Sequence, residues 1–306
     1  MVSKTTWAVA TPIAFFMMFS CLAPPEAEAG SNSSRIPDES QQSQPGDVID
    51  DLDEAARLHL VAIGLQGAGD YRAAEEAFQQ ALKAAPGRVA TLIGLAKLYI
   101  EEGKEDAARA TISRAEDEVE DLAFLEKAPH HIVLGLVYLT LDGVDEARRH
   151  LDEAEKLVVS VGSEPLMVRV LVGKAKLNSQ LQQREAAERL FNEAKLALSS
   201  IEDLRVRKPL EYEWLSEFAD HNLSIDAYRE ADRALLALWA HADGNPGVRL
   251  SVASRRGEAL IGMNRLEEAE DLLVTVTDAY RELFGANHSE TLQAGKILDR
   301  VRSLKQ

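Results

Sequence analysis

The 306 residues carry 51 acidic and 34 basic side chains, a net charge of −17, with 46% hydrophobic and 6% aromatic content. A surface this acidic repels phosphate backbones and argues against nucleic acid as a partner. The single cysteine, Cys21, excludes an intrachain disulfide or a thiolate metal cage. Apolar residues suffice for a buried core, and the abundance of Ala, Leu and Glu favours helix, because these residues lose least on entering one.

Residues 1–29 read as a targeting segment: Lys4 supplies a positive start, and Trp7 to Phe19 form an uncharged apolar run too short to span a membrane. Two processing sites compete. Ala27-Glu28-Ala29 before Gly30 has the small-residue pattern of secretory cleavage, with Pro24 and Pro25 upstream. Met18-Phe19-Ser20-Cys21 resembles a bacterial lipobox, which would make Cys21 a lipidated N-terminus, although Phe19 departs from the commoner small residue. Residues 30–51 are rich in Ser, Gln, Pro, Asp and Gly and predict a disordered linker. From Cys21 to the first helix such a tether reaches roughly 30 Å, and membrane association would come only through the lipid.

From residue 52 to 306 the chain repeats itself. Gly69, Tyr71, Ala74, Phe78, Ala81 and Pro86 open the series, followed by Leu95, Ala96, Tyr99, Gly103, Ala108, Ile112 and Ala115. A third copy holds Leu134, Gly135, Tyr138, Ala147, Leu151 and Ala154, and a fourth Ala175, Ala187, Phe191 and Ala194. The fifth is degenerate, with Leu215, Ala219, Ala231, Leu235 and Leu238; the sixth has Gly257, Ala269, Leu273 and Val276. The order of residues resembles the tetratricopeptide repeat. The resemblance implies an all-α superhelical solenoid of about six helical hairpins plus a C-terminal capping helix. Small residues within each helix would let backbones approach, and the large residue four positions after each second-helix alanine would fill the space beside them.

The first step between second-helix alanines, Ala74 to Ala108, is the standard 34; Ala147, Ala187, Ala231 and Ala269 follow at 39, 40, 44 and 38. Longer steps, together with Leu283-Phe284-Gly285, Asn287-His288 and Thr291-Leu292, resemble the kinesin-light-chain-like subclass. Turn chemistry marks Gly162 to Pro165, Asp243 to Pro246 and Gly285 to Asn287, and the last helix is expected over about Ser289 to Lys305. The doublet His130-His131, expected at a helix start, points its two rings apart, and no metal site is predicted.

In this family the first helix of each repeat lines the concave face. The resemblance therefore implies a partner-binding groove of His59, Ile63 and Gln66, then Ile93, Lys97 and Glu101, then Ile132, Leu136 and Leu139, and finally Arg169, Val172, Lys176 and Gln180. Such a strip suits a partner helix or extended peptide; alternatively Ile132, Leu136 and Leu139 pack against a neighbouring helix. The family's carboxylate clamp for heat-shock chaperones uses Lys and Asn where this chain has His59 and Ile63, so that activity is not expected. Neither a G-x-S-x-G, H-E-x-x-H or GxGxxG motif nor a phosphate-binding loop occurs, so no catalytic residue and no cofactor is predicted. Runs such as Glu116-Asp117-Glu118 and Glu267-Glu268 read as solvated faces, and Asn32, Asn222 and Asn287 are formal glycosylation acceptors.

The expectation is thus an exported scaffold that binds other proteins, envelope or exported ones, in cell-envelope assembly. The alternatives are an accessory regulator of a cell-wall or polysaccharide enzyme, or a small-molecule or glycan binder. In a bacterium the setting would be the periplasm or outer membrane.

Overall fold

The computed structural model describes residues 53–242 and 245–306. The leader, Cys21, the linker and the turn residues Asp243 and Gly244 lie outside the described residues. The fold is all-α, and no strand occurs among the described residues. The helices fall into two compact units that divide after Asp121, between the second and third hairpins, with no mark in composition.

The N-terminal unit holds α1 (Glu54–Gly67), α2 (Tyr71–Ala84), α3 (Val89–Glu101) and α4 (Glu105–Glu120). The C-terminal unit holds α5 (Phe124–Thr140), α6 (Val144–Val161), α7 (Glu164–Gln180), α8 (Arg184–Ser200) and α9 (Leu204–Ser224). It continues with α10 (Tyr228–His241), α11 (Pro246–Gly262), α12 (Leu266–Phe284) and the capping helix α13 (Ser289–Leu304). Consecutive helices pair as hairpins, giving the six repeats and the cap that the sequence pattern implies.

Every hairpin closes in the same way. Three residues link its helices, and the middle one has a left-handed backbone: Gly69, Gly103, Asp142, Gln182, Asp226 and Asn264, all at φ between 55° and 79°. The residue after it donates five positions back, as in Asp70 N to Leu65 O at 3.0 Å and Arg265 N to Leu260 O at 2.9 Å. Orphan carbonyls at the helix end are thereby satisfied. Glycine takes this conformation without strain, and Asp and Asn tolerate it. The turns between repeats rest on caps: Gly162 is left-handed after α6, and Asn245 Oδ1 accepts from Val248 N at 3.2 Å at the start of α11.

The packing follows the repeat. Ala74, Ala108, Ala147, Ala187, Ala231 and Ala269 are fully buried, as are the residues four positions on: Phe78, Ile112, Leu151, Phe191, Leu235 and Leu273. Three of these large side chains, Phe78, Leu151 and Leu273, need an absent Cβ opposite them. A Cβ at Gly94 would sit 2.7 Å from Phe78, one at Gly135 2.8 Å from Leu151, and one at Gly257 2.7 Å from Leu273. Leu151 also lies against Gly173 of α7, where a Cβ would come within 2.8 Å. One leucine therefore ties the third hairpin to the first helix of the fourth.

One expectation is corrected. His130 and His131 do not start a helix: α5 begins at Phe124 and carries Pro129 in its interior, giving up one backbone bond. His131 is buried and turned inward, its Nδ1 2.9 Å from His150 Nδ1. Arg149 Nη2 lies 3.2 Å from His150 Nε2 and can only donate, so the His150 proton is on Nδ1 and is given to His131. The cap helix ends at Leu304, and Lys305 and Arg302 reach back to Glu270 of α12 at 2.8 and 3.2 Å.

Two substitutions test the Leu151 contact. Leu151→Ala is expected to cost about 2–5 kcal/mol in urea unfolding, the range for a buried leucine that leaves a cavity. Gly135→Ala, despite a helix-propensity gain of about 1 kcal/mol, is expected to be net destabilising because its methyl meets the branched end of Leu151. A stabilised Gly135→Ala variant would contradict the close approach.

Candidate partner-binding face

Among the first helices of the C-terminal unit, α9 meets α7 and α11 through charged side chains. On α9, Glu213, Glu217 and Asp220 recur at helical spacing. Trp214 Nε1 donates to the Phe191 carbonyl of α8 at 2.8 Å, and Tyr212, Leu215 and Ala219 are buried around it. This packing fixes the rotation of α9 and turns its acidic row toward the neighbouring first helices.

Three bridges result. Arg169 Nε of α7 lies 3.3 Å from Glu213 Oε2, and Lys176 Nζ, about two turns further along the same face of α7, lies 2.8 Å from Glu217 Oε1. From α11, Arg255 Nη2 lies 2.6 Å from Asp220 Oδ1 and also donates to the Ser216 carbonyl at 2.6 Å, while its Nη1 donates to Ser216 Oγ at 3.0 Å. The row is graded in depth. The Glu213 side chain is 4% exposed and that of Arg255 6%, whereas Lys176 reaches 25% and Asp220 38%. The Arg169–Glu213 pair is the most enclosed, Lys176 is partly open to solvent, and the Arg255–Asp220 bridge runs from a buried guanidinium to an exposed carboxylate.

The electrostatics follow this burial. Desolvation pushes the Glu213 carboxyl up, with Arg169 opposing. Desolvation works against the Lys176 ammonium, but the adjacent Glu217 outweighs it and holds the lysine above its usual range. Glu258 of α11 is pushed up to about 7, first by burial and then by Asp220, against Arg255 and Arg300.

In the N-terminal unit the face is smaller. Burial, then Arg88 and Lys97, lower His59 to about 4, and the ring packs edge-on against Phe78. Burial raises Glu101, opposed by a hydrogen bond from Gln66 and the charge of Lys97. Gln66, Lys97 and Glu101 thus come together on α1 and α3, with Ile63 half-buried beside them.

The expected groove is brought together only in its polar part. Ile93, Ile132, Leu136, Leu139 and Val172 are buried in the helix packing, so no apolar strip is open to a partner there, and Ile132, Leu136 and Leu139 follow the alternative reading of packing against a neighbouring helix. Leu136 lies within 3.6 Å of where a Gly173 Cβ would be, and the Leu139 carbonyl accepts from Gln180 Nε2 at 3.1 Å. The seating of α7 on α5 consumes these side chains. Arg169, Lys176 and Gln180 remain on the face. Glu213, Ser216, Glu217, Asp220 and Arg255 escaped sequence reasoning; the four-residue acidic spacing on α9 was the available signal.

Among the described residues no group of three or more metal-ligating side chains occurs, and no helix is long and apolar enough to cross a membrane. Residues 65–124 match the tetratricopeptide repeat model. The fold is that of tetratricopeptide-repeat proteins. It is similar to a tetratricopeptide repeat protein from Parabacteroides merdae at TM-score 0.57 and 18% identity, over 81% of this chain and 84% of that one. It is similar to NprR, solved with its cognate peptide NprX, at TM-score 0.54 and 17% identity, over 85% and 75%. A chain of the APC/C hetero-tetramer Cut9–Hcn1 aligns at TM-score 0.53 and 16% identity over 84% of this chain, which spans 44% of that chain's length. No curated protein matches the sequence significantly.

Proposed function

We propose that this chain is an exported, non-catalytic scaffold that binds a segment of another protein along the first-helix face of its C-terminal unit, in cell-envelope assembly. The charged ladder carries the reading. A face that served the fold alone would be as stable, or more so, with apolar side chains, because desolvating ion pairs costs about what their attraction returns. The outer members, Lys176, Asp220 and Gln180, are open to a partner, and the inner pairs hold them in position. A polar, two-signed face selects its partner by charge pattern more than by buried area. The peptide held by NprR, a protein of the same fold, is consistent with this use. Export rests on the leader sequence, with its apolar run and its two processing sites.

A photo-crosslinking residue at Gln180, compared with one at the exposed second-helix residue Arg189, tests the face in the native host. Discrete adducts are expected from Gln180 and not from Arg189, and Lys176→Glu with Asp220→Lys should cut their yield about tenfold or more, in line with the cost of reversing close charges. Equal adducts at both positions, or no effect of reversal, would overturn the proposal.

Intact mass of the protein recovered from its host tests export separately. A lipidated N-terminus at Cys21 or a plain one at Gly30 supports it; a chain that retains residues 1–29 contradicts it, and a plain Gly30 removes the anchor.

A further inference from the structure

A second site lies at the hairpin turns of the fifth and sixth repeats, apart from the ladder. A cavity of about 640 Å³ opens there. Its floor is Gly262 and Met263 from the end of α11 and the Tyr228 ring from the start of α10. The ring lies so close to Gly262 that a Cβ there would collide with it.

Three guanidinium groups, those of Arg229, Arg233 and Arg265, line the cavity. Two carboxylates accompany them and both are engaged: Asp232 accepts from Arg256 Nε at 2.8 Å, and Asp226 accepts the Tyr228 hydroxyl. Arg265 is held by Glu268 at 2.5 and 2.8 Å. Arg233 lies 3.9 Å from Glu230 and is 78% exposed, and Arg229 has no ion pair among the described residues. Arg229 and Arg233 stand four apart on α10, where like charges cost a helix about 0.2–0.5 kcal/mol. An exposed cationic pair whose one ion-pair contact is the 3.9 Å approach of Arg233 to Glu230, lining a cavity, is unusual on a chain of net charge −17.

The chemistry that satisfies such a pair is an oxyanion, which guanidinium groups bind through paired N–H donors. The cavity's size lies in the range of organic-ligand pockets, and it has an aromatic and a thioether wall. An inorganic anion would leave most of it empty. We propose that this cavity binds an acidic peptide segment, with a side-chain carboxylate between Arg229 and Arg233 and a neighbouring apolar side chain against Tyr228 and Met263.

The test is a titration of the ¹⁵N-labelled full chain with the capped peptide acetyl-Gly-Phe-Asp-Phe-Gly-amide, its Asn analogue, and sodium phosphate. The Asp peptide is expected to shift the Tyr228, Gly262 and Met263 amides saturably. The Asn analogue should bind about tenfold more weakly or worse, the loss expected on removing a charge-assisted contact. Arg229→Gln with Arg233→Gln should abolish the shifts with the melting temperature unchanged, since both side chains are exposed. Gly262→Ala should weaken binding with the arginines intact, by displacing the ring. Equal binding of the Asp and Asn peptides, shifts that persist in the double arginine variant, or phosphate binding as tightly as the peptide would each overturn the proposal.

Discussion

The close approach of helix backbones at small residues governs the rest of this protein. Where Gly135 faces Leu151 and Gly257 faces Leu273, no side chain separates the two helices of a hairpin, and the leucine fills the gap. The same leucine at position 151 reaches Gly173, and Phe78 reaches Gly94, so the fourth and second hairpins each carry a socket for the hairpin before them. Interiors packed this closely allow little rotation of one helix about its axis. The faces left after packing are therefore set by the same contacts that hold the stack.

That constraint accounts for the charged ladder. Once Trp214, Tyr212 and Leu215 are committed to the core, Glu213, Glu217 and Asp220 have only the first-helix side to occupy. Their cations come from the helices on either side, Arg169 and Lys176 from α7 and Arg255 from α11. Removing one member would strand a desolvated charge at a cost of about 3–5 kcal/mol, whereas replacing a whole pair by apolar residues would not. Such an arrangement is rigid at its base and open at its edge, which presents a fixed charge pattern without first having to order it.

Much of the fold was legible because tetratricopeptide-type packing writes itself into residue size. The alanines at 74, 108, 147, 187, 231 and 269 and their large partners could be read in order, even in the degenerate fifth copy. The hairpin turns were less legible after the second repeat, since Asp142, Gln182, Asp226 and Asn264 take the left-handed position that Gly69 and Gly103 hold earlier. The helix start expected at His130-His131 lies six residues earlier, at Phe124, and Pro129, six residues into α5, is tolerated in a helix anchored by packing. The apolar groove failed for a single reason: a face assigned by family position cannot show how far the next hairpin overlaps it, and Ile132, Leu136 and Leu139 lie under that overlap. The ladder failed for the complementary reason, because bridges such as Lys176 to Glu217 join residues 41 apart in the chain.

The central claim is that the ladder is kept for a partner and not for the fold. Its most direct measurement replaces two whole pairs, Arg169→Met with Glu213→Leu and Lys176→Met with Glu217→Leu, and follows unfolding free energy alongside partner capture at Gln180. The account predicts stability that is unchanged or raised by about 1–4 kcal/mol, as for apolar replacement of buried ion pairs, together with loss of capture. A large fall in stability with capture retained would contradict it.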